Sequence, residues 1–289
     1  MATAAEWWSA ARPRTLPAAT APVLVGTGAA AQVGGAHLGR AALALGVGLA
    51  IQVGANYAND YSDGVRGTDV DRVGPMRLVA SGAAPPAQVK AAAVAALSFG
   101  ALLGMWLVAW SGVWWLLAVG VAAVVAAWTY TGGRHPYGYA GLGEVGVFAF
   151  FGLFAVLGTT ITQAGRATWP AWLGGVAIGL LACALIMANN LRDVPTDVLA
   201  GKRTLAVRLG ETWARRLYAA FVVLPVPLGA ACAFAAPWSL LVVLCLAPAV
   251  LLAGAVLLRA RGRALVPVLT FTGQLELAFA VLLGLGLAV

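Results

Sequence analysis

The chain has 289 residues, of which 62% are hydrophobic and 10% charged, with 18 Lys+Arg against 10 Asp+Glu and a net charge of +8. A water-soluble domain carries about 25% charged residues, so this composition leaves too few polar groups to cover a soluble surface. It equally excludes a disordered nucleic-acid binder, because apolar content this high does not stay solvated.

An integral membrane protein with no nucleic-acid partner is therefore expected. Crossing ~30 Å of hydrocarbon takes about 20 apolar residues in a helix. Such stretches fall near 16–33, 41–59, 88–109, 113–131, 142–162, 170–190, 215–236, 238–258 and 265–287. The sequence thus predicts an all-α, polytopic fold with about nine transmembrane helices, treated as one unit over 1–289. Ser111-Gly112 and Ala236-Pro237 split neighbouring stretches so briefly that helical hairpins are expected there. Ahead of the first stretch, Trp7-Trp8 suits a segment lying at the membrane interface, and no cleavable signal peptide is evident. Cys183, Cys232 and Cys245 lie in apolar runs without metal-binding spacing and read as core residues. The 36 glycines read as sites of close helix packing.

Sixteen of the 18 cations fall in the N-terminus and the loops after spans two, four, six and eight; only Arg40 and Arg166 lie on the other side. The positive-inside rule then puts the N-terminus and those loops in the cytoplasm of a prokaryotic-type plasma membrane. Arg259, Arg261 and Arg263 read as part of this topology signal and as lipid headgroup contacts.

The acids do not follow from topology. Six of ten cluster in two segments: Asp60, Asp63, Asp69 and Asp71 after span two, Asp193 and Asp197 after span six. Each begins with an Asn four residues before an Asp, Asn56/Asp60 and Asn189/Asp193, a spacing that puts two oxygen ligands on one helical face. Each is followed by a basic stretch, so 56–72 and 189–203 resemble the two halves of an old duplication. Hard cations such as Mg²⁺ take oxygen ligands and bridge carboxylates to substrate phosphates. Two facing clusters would hold a diphosphate, and basic neighbours would offset its remaining charge. Pro195 interrupts the second segment, so Asp197 is expected on a new turn, off the helical face of Asp193. Glu276 is the one acid deep inside a predicted span. A cation-coupled transporter is the competing reading, because intramembrane carboxylates also mark ion paths.

The stretches Arg12-Pro13-Arg14-Thr15-Leu16-Pro17, Asn59-Asp60-Tyr61-Ser62-Asp63-Gly64, Gly74 to Gly82, Tyr130 to Gly133, Gly141-Leu142-Gly143-Glu144 and Asn189 to Gly210 resemble the UbiA superfamily of intramembrane aromatic prenyltransferases. The branch most resembled acts on 1,4-dihydroxy-2-naphthoate. The resemblance implies a helical bundle around a central lipid-facing cavity that opens to the cytoplasmic side. It also implies Mg²⁺-dependent transfer of a polyprenyl group from polyprenyl diphosphate to the naphthoate ring, with loss of the carboxylate. Carried onto this chain, Asn56, Asp60, Asp63, Asn189, Asp193 and Asp197 would hold the metal, with the four aspartates as the catalytic set. Arg72, Arg77, Lys202 and Arg203 would bind the diphosphate, Arg134 and Tyr130 the aromatic substrate, and Tyr57, Tyr61 and Tyr130 would face the allylic cation. Sister acceptors (4-hydroxybenzoate, homogentisate, haem) remain the alternative within the family.

Overall fold

The computed structural model describes residues 2–68, 76–258 and 260–289. All regular structure among them is helical. A short helix α1 (Ala4–Ala10) leads into α2 (Pro17–Ala31), α3 (Leu38–Arg66), α4 (Pro86–Ser111) and α5 (Leu116–Thr129). The second half holds α6 (Gly143–Val147), a π-helical stretch Phe148–Leu153, α7 (Phe154–Ala164), α8 (Trp169–Leu199), α9 (Leu205–Val223), α10 (Pro225–Ala231), α11 (Leu246–Leu257) and α12 (Leu265–Ala288).

Each apolar stretch read from the sequence falls on helix, but the count of spans differs. Seven helical runs among the described residues are long and apolar enough to cross a bilayer. Helices α2 and α5 have 15 and 14 residues. At about 1.5 Å per residue they are shorter than the hydrocarbon core. The expected hairpins form: Gly112 ends α4 with a left-handed φ of 74°, a conformation that costs glycine little.

Helix α8 is the most buried of the long helices. It packs between α9, α12 and the π-helical stretch. The glycines permit this where apolar side chains would hold helices apart. A Cβ on Gly28 of α2 would stand 2.2 Å from the Gly284 carbonyl oxygen of α12, and one on Gly152 would stand 2.4 Å from the Gly179 Cα of α8. Such backbone approach replaces the hydrophobic driving force that lipid does not supply. Polar cross-links add to it: Thr160 donates to the Gly26 carbonyl at 3.0 Å, and Tyr218 pairs with Thr272 at 2.8 Å. Glu276 is fully buried, and neither of its carboxylate oxygens has a hydrogen-bond partner among the described residues.

The C-terminal ends of α3 and α8 lie at one end of the bundle. At the other end, Arg40 donates to the Thr162 carbonyl of α7 at 3.0 Å and the Trp110 carbonyl of α4 at 2.9 Å. It thereby satisfies the last turns of two helices whose dipoles favour a cation there. Replacing Arg40 by Met should cost about 2 kcal/mol, the scale of charge-assisted hydrogen bonds. Thermal unfolding in detergent should fall by several degrees for this variant and stay unchanged for a Met replacement of exposed Arg166.

Candidate active site

Helix α3 carries Gln52, Asn56, Asn59, Asp60 and Asp63 at three- and four-residue steps, which aligns them along one side of its last turns. The N-terminal segment lies along this stripe. Asn56 Nδ2 donates to the Ala11 carbonyl at 2.8 Å and to Thr15 Oγ1 at 3.1 Å, and Gln52 Nε2 reaches Thr15 Oγ1 at 2.9 Å. With its donors so engaged, the Asn56 amide presents its oxygen as the remaining ligand atom. Between these tethers Arg12 adopts a left-handed backbone (φ 54°). For a residue with a Cβ this costs roughly 1–2 kcal/mol.

The two acids of this stripe differ in surroundings. Asp60 accepts from the backbone N–H groups of Leu78 (2.8 Å) and Val79 (3.0 Å), so both of its oxygens hold the 77–84 turn in place. Asp63 is 3% exposed and meets Lys202 Nζ at 3.3 Å and the Arg77 guanidinium at 3.9 Å. Tyr139 donates to the same carboxylate. Burial, and after it the Asp63 charge, raise the Tyr139 phenol above its ordinary range, so it stays a protonated donor. Lys202 also lies 4.7 Å from the Tyr139 ring centroid.

The second acidic segment departs from the expected break at Pro195. Helix α8 runs unbroken through Pro195 to Leu199, so Asp193 and Asp197 share a face. A proline removes only one backbone donor, and hydrogen bonds within and just after the last turns hold this end of α8. Thr196 Oγ1 donates to the Asp193 carbonyl at 2.9 Å, and the Lys202 N–H to the Asp197 carbonyl at 2.8 Å. Arg192 grips Asp193 through Nε and Nη2, both at 2.7 Å, and its Nη2 also donates to Asn189 Oδ1 at 2.8 Å. The Asn189 oxygen, expected as a metal ligand, is thus already engaged by Arg192.

Both segments line one cavity of about 1210 Å³. Its described polar wall holds three carboxylates (Asp63, Asp193, Asp197) and six cations (Arg12, Arg14, Arg77, Arg192, Lys202, Arg263). Val147, Phe151, Leu185, Ile186 and Val266 make much of the rest. An excess of cations beside a few carboxylates, continuous with an apolar wall, suits a polyanion carrying a hydrocarbon. Among the described residues no three acidic, His or Cys side chains come close enough to form a protein-only metal cage. The oxygen donors fit instead a hard cation that takes one or two carboxylates and completes its shell with phosphate and water.

Asn56, Asp63, Arg77, Tyr130, Asn189, Asp193, Asp197 and Lys202 line the cavity, and Asp60 sits behind its wall. Arg72, with Asp69 and Asp71, lies outside the described residues. Arg203 is exposed beside inward-facing Lys202, because its own N–H is tied to the Tyr139 carbonyl at 3.0 Å. Arg134 is exposed and away from the cavity. Arg66 donates to the Thr131 and Gly133 carbonyls on the inner side of that loop. Tyr57 packs edge-on against Trp7, and Tyr61 faces Trp128. Of the three tyrosines expected to face a cation, only Tyr130 reaches the cavity. Sequence reasoning missed Arg12, Arg14, Arg192 and Arg263 as cavity cations. Arg192 alone carried a local signal, its adjacency to Asp193.

Comparison with known proteins gives a consistent family. The model of the UbiA prenyltransferase family matches residues 19–287. The 1,4-dihydroxy-2-naphthoate octaprenyltransferase of Mycobacterium tuberculosis is 51% identical over 280 residues, covering 97% of this chain and 96% of that protein. The protein of the same name from Escherichia coli is 40% identical over 223 residues, covering 75% and 72%. A UbiA homologue from Archaeoglobus fulgidus, solved with DMAPP and Mg²⁺, superposes with a TM-score of 0.70 at 16% identity over 98% of this chain and 99% of that one. With the match running across nearly the whole helical bundle, the chain belongs to the UbiA prenyltransferase family.

Proposed function

We propose that this protein transfers a polyprenyl group from its diphosphate to 1,4-dihydroxy-2-naphthoate with loss of the carboxylate, giving demethylmenaquinone or its reduced form in menaquinone biosynthesis. The observation that carries this reading is the single cavity in which both acidic segments and six cations meet an apolar wall. The 51% identical mycobacterial relative bears the name of that acceptor. The positive-inside count supports an N-terminus and a cavity mouth facing the cytoplasm.

Asn56, Asp63, Asp193 and Asp197 are the residues that would hold Mg²⁺. When bound, Mg²⁺ supplies neutralisation of the diphosphate as it becomes a leaving group. Arg77 and Lys202, with Arg12, Arg14 and Arg263, bind the phosphate oxygens. The apolar wall keeps water from the allylic carbon while its C–O bond breaks. The ring carbon bearing the carboxylate then forms the new C–C bond. The carboxylate departs as CO₂ and leaves its bonding electron pair to the ring.

Purified protein in lipid, given labelled polyprenyl diphosphate, Mg²⁺ and either 1,4-dihydroxy-2-naphthoate or 4-hydroxybenzoate, tests the assignment by mass spectrometry. A decarboxylated prenyl naphthohydroquinone, read also as the quinone it forms in air, that disappears with EDTA is expected. Product from 4-hydroxybenzoate alone would move the acceptor to a sister branch. In the same assay Asp63→Asn and Asp193→Asn should each lower turnover by roughly 10²–10³-fold, the scale of lost transition-state electrostatics. Arg14→Ala and Arg263→Ala should raise the KM for prenyl diphosphate by roughly tenfold, one charge-assisted hydrogen bond. Arg134→Ala should leave both KM values within about twofold, since exposed charges contribute little.

A further inference from the structure

We propose that Asn190, oriented by Glu144, recognises a hydroxyl group of the aromatic acceptor; this deepens the acceptor assignment above and rests on it. Glu144 opens the short helix α6 and is fastened to α8 at two points. Cys183 Sγ donates to the Glu144 carbonyl at 3.2 Å, and Asn190 Nδ2 donates to Glu144 Oε1 at 3.0 Å. Cys183 and Asn190 are seven residues apart, two turns along one face of α8. The carboxylate is 4% exposed and lies behind the cavity wall; Asn190 is 8% exposed and lines the cavity.

This pairing sets the polarity of the amide. A carboxylate only accepts, so the Asn190 N–H groups turn to Glu144 and the carbonyl oxygen is the end left for the cavity. Neighbouring Asn189 is set the opposite way, its oxygen held by Arg192. The two adjacent amides therefore present opposite hydrogen-bonding character. A diphosphate has only acceptor oxygens and gains nothing from the Asn190 carbonyl. A dihydroxylated ring carries the donors that it requires. Ile186, one turn earlier on α8, and Phe151 supply apolar surface in the same cavity for the flat ring. Gly143 lets α6 close on this wall, since a Cβ there would stand 3.2 Å from Tyr130 and 3.3 Å from Ile186. Glu144 is thus a positioning residue acting through Asn190.

The test is steady-state kinetics of the reconstituted full chain, varying each substrate and Mg²⁺ separately. Asn190→Leu and Glu144→Leu should raise the KM for 1,4-dihydroxy-2-naphthoate roughly tenfold, the worth of one lost hydrogen bond. The KM for prenyl diphosphate and the Mg²⁺ requirement should stay within about twofold, as for contacts those ligands do not make. Glu144→Gln, whose amide oxygen still accepts from Asn190, should restore the acceptor KM. The wild type should bind the dihydroxy acceptor more tightly than 1-hydroxy- or 4-hydroxy-2-naphthoate used as inhibitors, and Asn190→Leu should erase the preference over one of them. Asn190→Ala replaces the leucine variant if that one fails to insert.

Parallel rises in both substrate KM values, a shifted Mg²⁺ requirement, or a Glu144→Gln variant as impaired as Glu144→Leu would overturn the inference. So would variants with an unchanged acceptor KM. A wild type that makes no product from 1,4-dihydroxy-2-naphthoate would remove the acceptor assignment, and this inference with it.

Discussion

The buried carboxylate of Asp63 is the point on which the site depends. It lies near the end of α3, yet its partners come from three other parts of the chain: Arg77 from the turn after α3, Tyr139 from the loop before α6, and Lys202 from the loop after α8. An isolated charge so deeply buried would cost several kcal/mol. The compensation comes only when the chain has brought all three loops together. The same contacts that make the charge tolerable therefore close one end of the cavity and juxtapose the two acidic segments. Asp60 supports this from behind, because its hold on the Leu78 and Val79 N–H groups carries Arg77 to its place.

A second constraint acts on the cavity as a whole. Six cations facing three carboxylates leave an excess of positive charge at the edge of an apolar enclosure. Such an arrangement is unfavourable by itself and becomes favourable around an anion. Arg192, locked onto Asp193 and Asn189, belongs to the acidic segment more than to the surplus. Arg77 and Lys202 in turn lie against Asp63 and share in offsetting its charge.

Beneath the charged layer, the geometry is set by helix approach. Gly28 against Gly284 and Gly152 against Gly179 bring backbones to distances no side chain would allow. The π-helical stretch Phe148–Leu153 then carries Phe151 to the cavity wall, beside Val147 at the end of α6. Insertions of this kind recur at functional sites because they re-aim side chains without ending a helix.

What the sequence determined by itself is what depends on neighbours along the chain. Composition and apolar length made a helical membrane protein inescapable, and four-residue spacing was enough to place Asn56 with Asp60 and Asn189 with Asp193. Length alone did not decide the spans, for α2 and α5 are helices shorter than the bilayer core. Pro195 misled because one missing backbone hydrogen bond does not end a helix whose last turns keep other bonds, among them those from Thr196 and Lys202. Tertiary structure alone decided which cations face inward. Arg12, Arg14 and Arg263 do while Arg134 and Arg203 do not, and nothing in their immediate neighbours distinguishes them. It also decided the hydrogen-bonding polarity of Asn189 and Asn190, which are identical in sequence terms and opposite in the fold. An amide takes its direction from the group across from it: for one that is Arg192, a donor, and for the other Glu144, an acceptor 46 residues away.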